Sequence, residues 1–277
     1  MARFAVTILM IMMMICPASS EALRVISLYP GHSDNISAMG GNLIALSEND
    51  DDDLLPDLPR VSLRSGAERI LALRPDVVIT RPFAERINPN MYDVLRRSGV
   101  KVVSIDPPKW DDFPAYLLTL AESLNLDPVK GIARLNSALE GIEAQSAKSP
   151  RVFLEATSRE LHTCAPDSWP ARLIALAGGV NIAADAVPLR EGSTVAPYGV
   201  ERVLRKAESI DVYIIQTGAM NPATVKDFRA REWAGALRHA RVYEIPERYI
   251  SRPSLLGLEK GLRILRQIFT EDSKNAR

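Results

Sequence analysis

Apolar residues follow two alternating rhythms along this chain, short unbroken runs and three-to-four-residue spacings, and the whole alternation occurs twice. Val25–Leu28 is a short apolar strand that enters the polar loop Tyr29–Asp34. Asn35–Met39 then reads as a helix stopped by Gly40-Gly41, and Leu43–Ser47 as a second strand. Ala67–Leu73 is a short helix ended by Pro75, and Val77–Thr80 is a buried strand rich in β-branched residues. Asn90–Ser98 is a helix stopped by Gly99, and Val100–Ile105 is another strand. Strands that alternate with helices predict a mainly parallel sheet with helices on both faces.

The second half repeats this plan. Arg24-Val25-Ile26-Ser27-Leu28 is answered by Arg151-Val152-Phe153-Leu154, and Ser37–Asn42 by Ala175–Asn181. Glu68-Arg69-Ile70-Leu71 running into Asp76-Val77-Val78-Ile79 is answered by Glu201-Arg202-Val203-Leu204 running into Asp211-Val212-Tyr213-Ile214. Lys101–Ile105 is answered by Arg241–Ile245. Four matches in one order predict two lobes of similar fold, with the ligand position in the cleft between them.

Between the repeats, from about Trp110 to Ser146, strand signals vanish. Leu117, Leu120, Ala121, Leu124, Ile132, Leu135, Leu139 and Ile142 recur at helical spacing, which predicts one long amphipathic helix with a potential break at Asp127-Pro128. The expected fold class is therefore α/β: two similar lobes, each a mainly parallel sheet flanked by helices, joined by one long helix. The boundaries expected are an N-terminal lobe over 23–108, a bridging helix over 109–149 and a C-terminal lobe over 150–277. A single helical crossover resists bending, so a fairly rigid clamp with small closure is expected.

The N-terminus changes the picture of where the chain works. Arg3, the apolar run Phe4–Cys16 and the small residues Ala18, Ser19 and Ser20 read as a secretory signal over residues 1–22, too short to span a bilayer comfortably. A lipid anchor on Cys16 is the weaker reading, because Ile15 is bulky where lipoprotein signals prefer a small residue. The expectation is a soluble, exported protein. Removing the signal leaves Cys164 alone, so no disulfide can form within the mature chain. Lys and Arg number 34 against 34 Asp and Glu, with no basic stripe, which argues against nucleic-acid binding. The acidic run Glu48 with Asp50–Asp53 lacks the glycine and distal glutamate of an EF-hand and is expected to be a solvated loop.

In a parallel sheet, ligands sit beyond the carboxyl ends of the strands. The loops there carry Tyr29, His32, Arg81, Phe83, Trp110, His162, Trp169, Tyr198, Met220, Tyr249 and Arg252, a set suited to a large, partly flat, partly anionic ligand. The site expected is Tyr29, His32, Arg81, Trp169, Tyr198 and Arg252. His32 lies at a helix start and could equally bond the backbone, and Arg252 could equally form a structural salt bridge. Cys164 is expected to be a small buried hydrophobe, and His239 a surface residue. No phosphate loop, paired carboxylate or nucleophile–base set stands out, so no catalytic residue and no resident cofactor is expected.

The boxes quoted above resemble the periplasmic binding proteins of ABC importers for iron-siderophores, haem and cobalamin. Glu68–Ile79 is similar to the family's most recognisable segment, and Leu176–Ile182 and Ser251-Arg252-Pro253 look like further landmarks. The resemblance implies capture of a metal chelate and its delivery to an inner-membrane permease with its ATPase, from the periplasm and as a monomer. It also implies that Glu68 and Glu201, one per lobe, dock on permease arginines; the helix dipole favours a first-turn glutamate as well. Haem receptors often use tyrosine or histidine as axial ligands, so Tyr29, His32 or Tyr198 could act that way. The rival readings are a metalloenzyme or cluster protein on a related nitrogenase-like scaffold, against which the single mature cysteine argues, and a receptor for a bare metal ion.

Overall fold

The computed structural model describes residues 22–50, 53–140 and 149–270. The expected signal segment lies outside them. The first sheet is all parallel, in the order β3-β2-β1-β4-β5, with β1 Val25–Ser27, β2 Leu43–Ser47, β3 Arg60–Val61, β4 Val77–Thr80 and β5 Lys101–Ser104. Its connections are α1 Pro30–Ala38, α2 Ala67–Leu71, α3 Pro82–Ile87 and α4 Pro89–Arg97. Two helices follow, α5 Phe113–Ser123 and α6 Pro128–Leu139. The second sheet comprises β6 Arg151–Thr157, β7 His162–Cys164, β8 Val180–Asn181, β9 Val195–Pro197, β10 Val212–Thr217 and β11 Arg241–Pro246, in the order β11-β10-β6-β7-β9 with β8 beside β6. Only β7 runs antiparallel to its neighbours. Its helices are α7 Trp169–Leu176, α8 Val200–Arg205, α9 Val225–Arg229, α10 Glu247–Ile250 and α11 Leu255–Thr270.

The repeat holds at the level of single hydrogen bonds. Val25 pairs with Val77 in the first lobe as Val152 pairs with Val212 in the second. The Arg24 amide donates to Asp76 Oδ2 at 2.7 Å, and the Arg151 amide to Asp211 Oδ2 at the same distance. Gly40 (φ +82°) and Gly178 (φ +90°) close α1 and α7 in the left-handed conformation that side chains resist.

Alternate residues of each strand feed opposite faces, as a period of two requires. Val25, Val77 and Ile79 join Val152, Leu154, Val212 and Ile214 in one core cluster shared by both lobes, while Ile26 and Val78, and Phe153, Tyr213 and Ile215, build separate outer clusters. The last helix, α11, locks the lobes together. Asn35 on α1 accepts from the Leu255 amide at 2.9 Å through Oδ1 and donates to the Pro253 carbonyl at 3.1 Å, so a residue 220 positions earlier caps α11. Arg134 on α6 forms a two-pronged pair with Glu259 on α11, at 2.5 and 2.9 Å. At Gly261 a Cβ would stand 2.0 Å from the Tyr249 carbonyl oxygen, so only glycine admits α10 this close.

Two expectations change. The bridging segment is not one helix: Asn125 turns left-handed (φ +54°), Asp127 caps the next helix by accepting from Val129, and Pro128 cannot continue the first. The expected loop Tyr29–Asp34 is instead largely helical, since α1 begins at Pro30, and its polar residues His32, Ser33, Asp34 and Asn35 are buried.

Candidate functional site

Every strand except β7 ends toward the same edge of its sheet, and contacts between the lobes join segments that follow these carboxyl ends. Asp34 meets Arg252, and Asp53 meets Arg248. The two carboxyl edges therefore face one another.

Tyr29 and Arg81 stand at this edge for one local reason. Each follows a strand and precedes a proline that opens a helix. The proline ring holds the preceding residue extended, at φ −147°, ψ 127° for Tyr29 and φ −117°, ψ 149° for Arg81, while its missing N–H costs nothing in the first turn. The Arg81 guanidinium lies 4.6 Å from the centre of the Tyr29 ring. Burial pushes the Tyr29 hydroxyl up from its usual pKa, and the charges of Arg81 and Arg252 pull it back. Arg252 reaches Asp34 at 3.9 Å from the other lobe. A phenol and two guanidinium groups thus share one neighbourhood, a chemistry suited to anionic or acceptor-rich ligands.

His32 supports this arrangement from below. It is fully buried, with Nε2 3.0 Å from the Ile105 carbonyl and Nδ1 2.7 Å from the Tyr116 hydroxyl. A carbonyl can only accept, so Nε2 carries the proton and Nδ1 accepts from Tyr116. Burial lowers its pKa from 6.5 to about 4, against the pull of the Ile105 carbonyl and with a smaller push from Arg81. Both ring nitrogens are engaged, so the expectation that His32 faces a ligand is corrected: it holds Tyr29, whose ring packs edge-on at 4.9 Å. From His32 an unbroken series of aromatic contacts runs through Tyr116 and Phe113 to Trp169, and Trp169 packs on Trp110 at 4.6 Å. Trp169 Nε1 is buried without an acceptor.

Tyr198 does not join them. It packs on Phe153 in the outer cluster of the second lobe, donates to Asp185 at 3.0 Å and lies 4.0 Å beneath the Arg202 guanidinium. Lys206 above all, with Arg202 and this hydroxyl, holds the Asp185 carboxyl well below the usual range against an opposing desolvation. Tyr198 is a packing residue, because its ring is enclosed by Phe153 and Arg202 and its hydroxyl is spent on Asp185.

The acidic run is also more than a solvated loop. Asp50 is buried, accepts from the Ser47 amide at 2.7 Å, and has its pKa raised by burial to about 6. Asp53 meets Arg248 at 3.1 Å and accepts from Tyr249, both in the other lobe. Residues 51 and 52 lie outside the described set. His162 bonds its own turn through the Arg159 carbonyl, Cys164 is buried, and His239 is exposed.

Three residues of the neighbourhood escaped sequence reading: Asp34, Tyr116 and Ile105, the last through its carbonyl. A Tyr-Pro and an Arg-Pro each directly after a strand was the available signal for the rest. Glu68 and Glu201 are exposed in the first turns of α2 and α8 and form no ion pair among the described residues. These helices follow β3 and β9, whose direction matches the parallel strands, so both glutamates stand toward the carboxyl edges.

The model of the periplasmic binding protein family matches residues 25–249. The chain belongs to that family. It is a binding protein of transport rather than an enzyme. A vitamin B12-binding protein of Vibrio parahaemolyticus is 29% identical over 255 residues, covering 86% of each chain. A possible iron-binding periplasmic protein of Staphylococcus epidermidis shares the fold with a TM-score of 0.68 at 16% identity, over 90% of this binding protein and 99% of that one. The haem-binding protein RhuT of Roseiflexus does so with a TM-score of 0.65 at 20% identity, over 91% and 100%. Among the described residues, no helix of the binding protein is long and apolar enough to cross a membrane, and no group of three or more His, Cys, Asp or Glu is placed to hold a metal ion.

Proposed function

We propose that this binding protein captures a metal chelate (a ferric siderophore, cobalamin or haem) between its lobes and delivers it to an inner-membrane permease driven by an ATPase. The observation that carries this reading is the convergence of the Tyr29 ring with Arg81 and Arg252 where the two carboxyl edges meet. A chelate offers both features such a site rewards: flat apolar surface, and peripheral oxygens for guanidinium groups. Relatives that bind vitamin B12, haem or iron support the same class. With both His32 nitrogens engaged, a bare ion is the poorer fit. The protein would work in the periplasm as a monomer, exported by the segment before Leu23.

Titrating the purified protein with ferric siderophores, haemin and cyanocobalamin while following tryptophan emission tests this reading. Trp110 is partly exposed where the lobes meet and packs on the buried Trp169, so a bound chelate that absorbs in the near ultraviolet should quench their emission. Silence toward all three would rule it out.

Delivery makes a separate demand on Glu68 and Glu201. Alanine at each should leave chelate affinity unchanged and weaken association with the reconstituted importer, on the order of tenfold at low salt, because rim charge pairs act on encounter and register. The defect should shrink as salt rises. Lost chelate binding in the double variant would instead assign the glutamates to the helices they start.

A further inference from the structure

Phe83 and Met220 occupy equivalent places in the duplicated fold, and both are in the open, 54% and 56% exposed. Each stands three residues beyond the last residue of its lobe's β4 or β10, Thr80 in one case and Thr217 in the other. These two strands correspond: β4 lies between β1 and β5, and β10 lies between β6 and β11. Both residues therefore stand on the carboxyl edges that face one another.

Neither sits on a yielding surface. Pro82 opens α3 immediately before Phe83, and the next residue, Ala84, is buried with its amide bonded to the Arg81 carbonyl at 2.9 Å. Met220 shares with Ala219 the tip of a turn whose ends pair twice, Gly218 with Asn221 at 3.0 and 3.1 Å. Asn221 is itself buried, donating to Glu155 at 3.3 Å and accepting from the Ser158 amide at 3.1 Å. A large apolar side chain held rigidly in water adds little to the fold, and covering it releases hydrophobic free energy. Beside Phe83, the Arg86 guanidinium lies 5.9 Å from its ring, and Arg81 precedes it by two residues.

We propose that Phe83 and Met220 are opposed lips that grip the flat apolar faces of a planar macrocyclic chelate, with Arg81 and Arg86 beside its peripheral acceptor groups. This rests on the carrier reading above and narrows it: a compact ferric hydroxamate, polar over its surface, gains little from such lips.

The test titrates wild type and variants with haemin, cyanocobalamin and ferric desferrioxamine B. Wild type should bind at least one macrocycle. Phe83→Ala with Met220→Ala should weaken that binding roughly 10- to 100-fold, the loss expected when two half-exposed apolar contacts disappear. Phe83→Leu and Met220→Leu should retain most of the affinity, and thermal midpoints should not move, since neither side chain is buried. Unchanged macrocycle affinity in the double alanine variant overturns the proposal. Binding of the ferric hydroxamate alone overturns it too, while leaving the carrier reading intact. If no probe binds wild type, the carrier reading fails and the lips fail with it.

Discussion

Arg231→Ala should destabilise the protein by about 3–5 kcal/mol, the usual consequence of stranding one partner of a buried ion pair. Glu155 on β6 is fully buried inside the apolar outer cluster of the second lobe. Arg231 supplies two of its hydrogen bonds, at 2.6 and 2.9 Å, and Tyr213 and Asn221 donate the others at 2.6 and 3.3 Å. Without the guanidinium the carboxylate keeps two neutral donors and loses its counter-charge. Adding Glu155→Gln should recover most of the loss, because the side chain then carries no charge to desolvate. Chemical denaturation of the two variants checks this. A loss below about 1 kcal/mol in Arg231→Ala would mean that water reaches Glu155.

Asp50→Asn should do the opposite, raising stability at pH 7 and exposing a hidden pH dependence. His32 has its pKa lowered from 6.5 to about 4, so its contribution is complete above 6.5 and declines as pH falls toward 4. Asp50 has its pKa raised from 3.8 to about 6, by burial, against Ser33, the Ser47 amide, Arg252 and Arg60. Its contribution is therefore complete below 3.8 and is lost as pH rises through 6. Each shift corresponds to about 3 kcal/mol, and the slopes are opposite, so they nearly cancel between pH 4 and 6 in the natural protein. Asparagine mimics the protonated acid. The variant should gain up to about 3 kcal/mol at pH 7, and the gain should vanish by pH 4, leaving the His32 slope uncovered. Parallel stability curves for the two proteins across this range would refute the assignment.

The two-lobed plan was legible because its signals are local. Apolar periodicity, the glycines that end α1 and α7, and the matched Arg and Asp that tie neighbouring strands all act within a few residues or between adjacent strands. A duplicated order of such boxes leaves little choice of architecture. Tyr29 and Arg81 were legible too, since a strand end followed by Xaa-Pro sets an extended residue at a helix start whatever the rest of the chain does.

The tertiary structure decided the rest. Whether His32 meets a ligand depends on Tyr116, 84 positions away, which takes its lone pair. Tyr198 reads as a cleft residue, but Phe153, Asp185 and Arg202 enclose it in the outer cluster of its own lobe. The acidic run read as solvated, because nothing nearby in sequence announces Arg248 and Tyr249 as partners for Asp53. Local spacing determines which face and which end of an element a residue occupies. What covers that place is set by segments up to 220 residues distant, and burial by them converts a polar side chain from a ligand donor into a support.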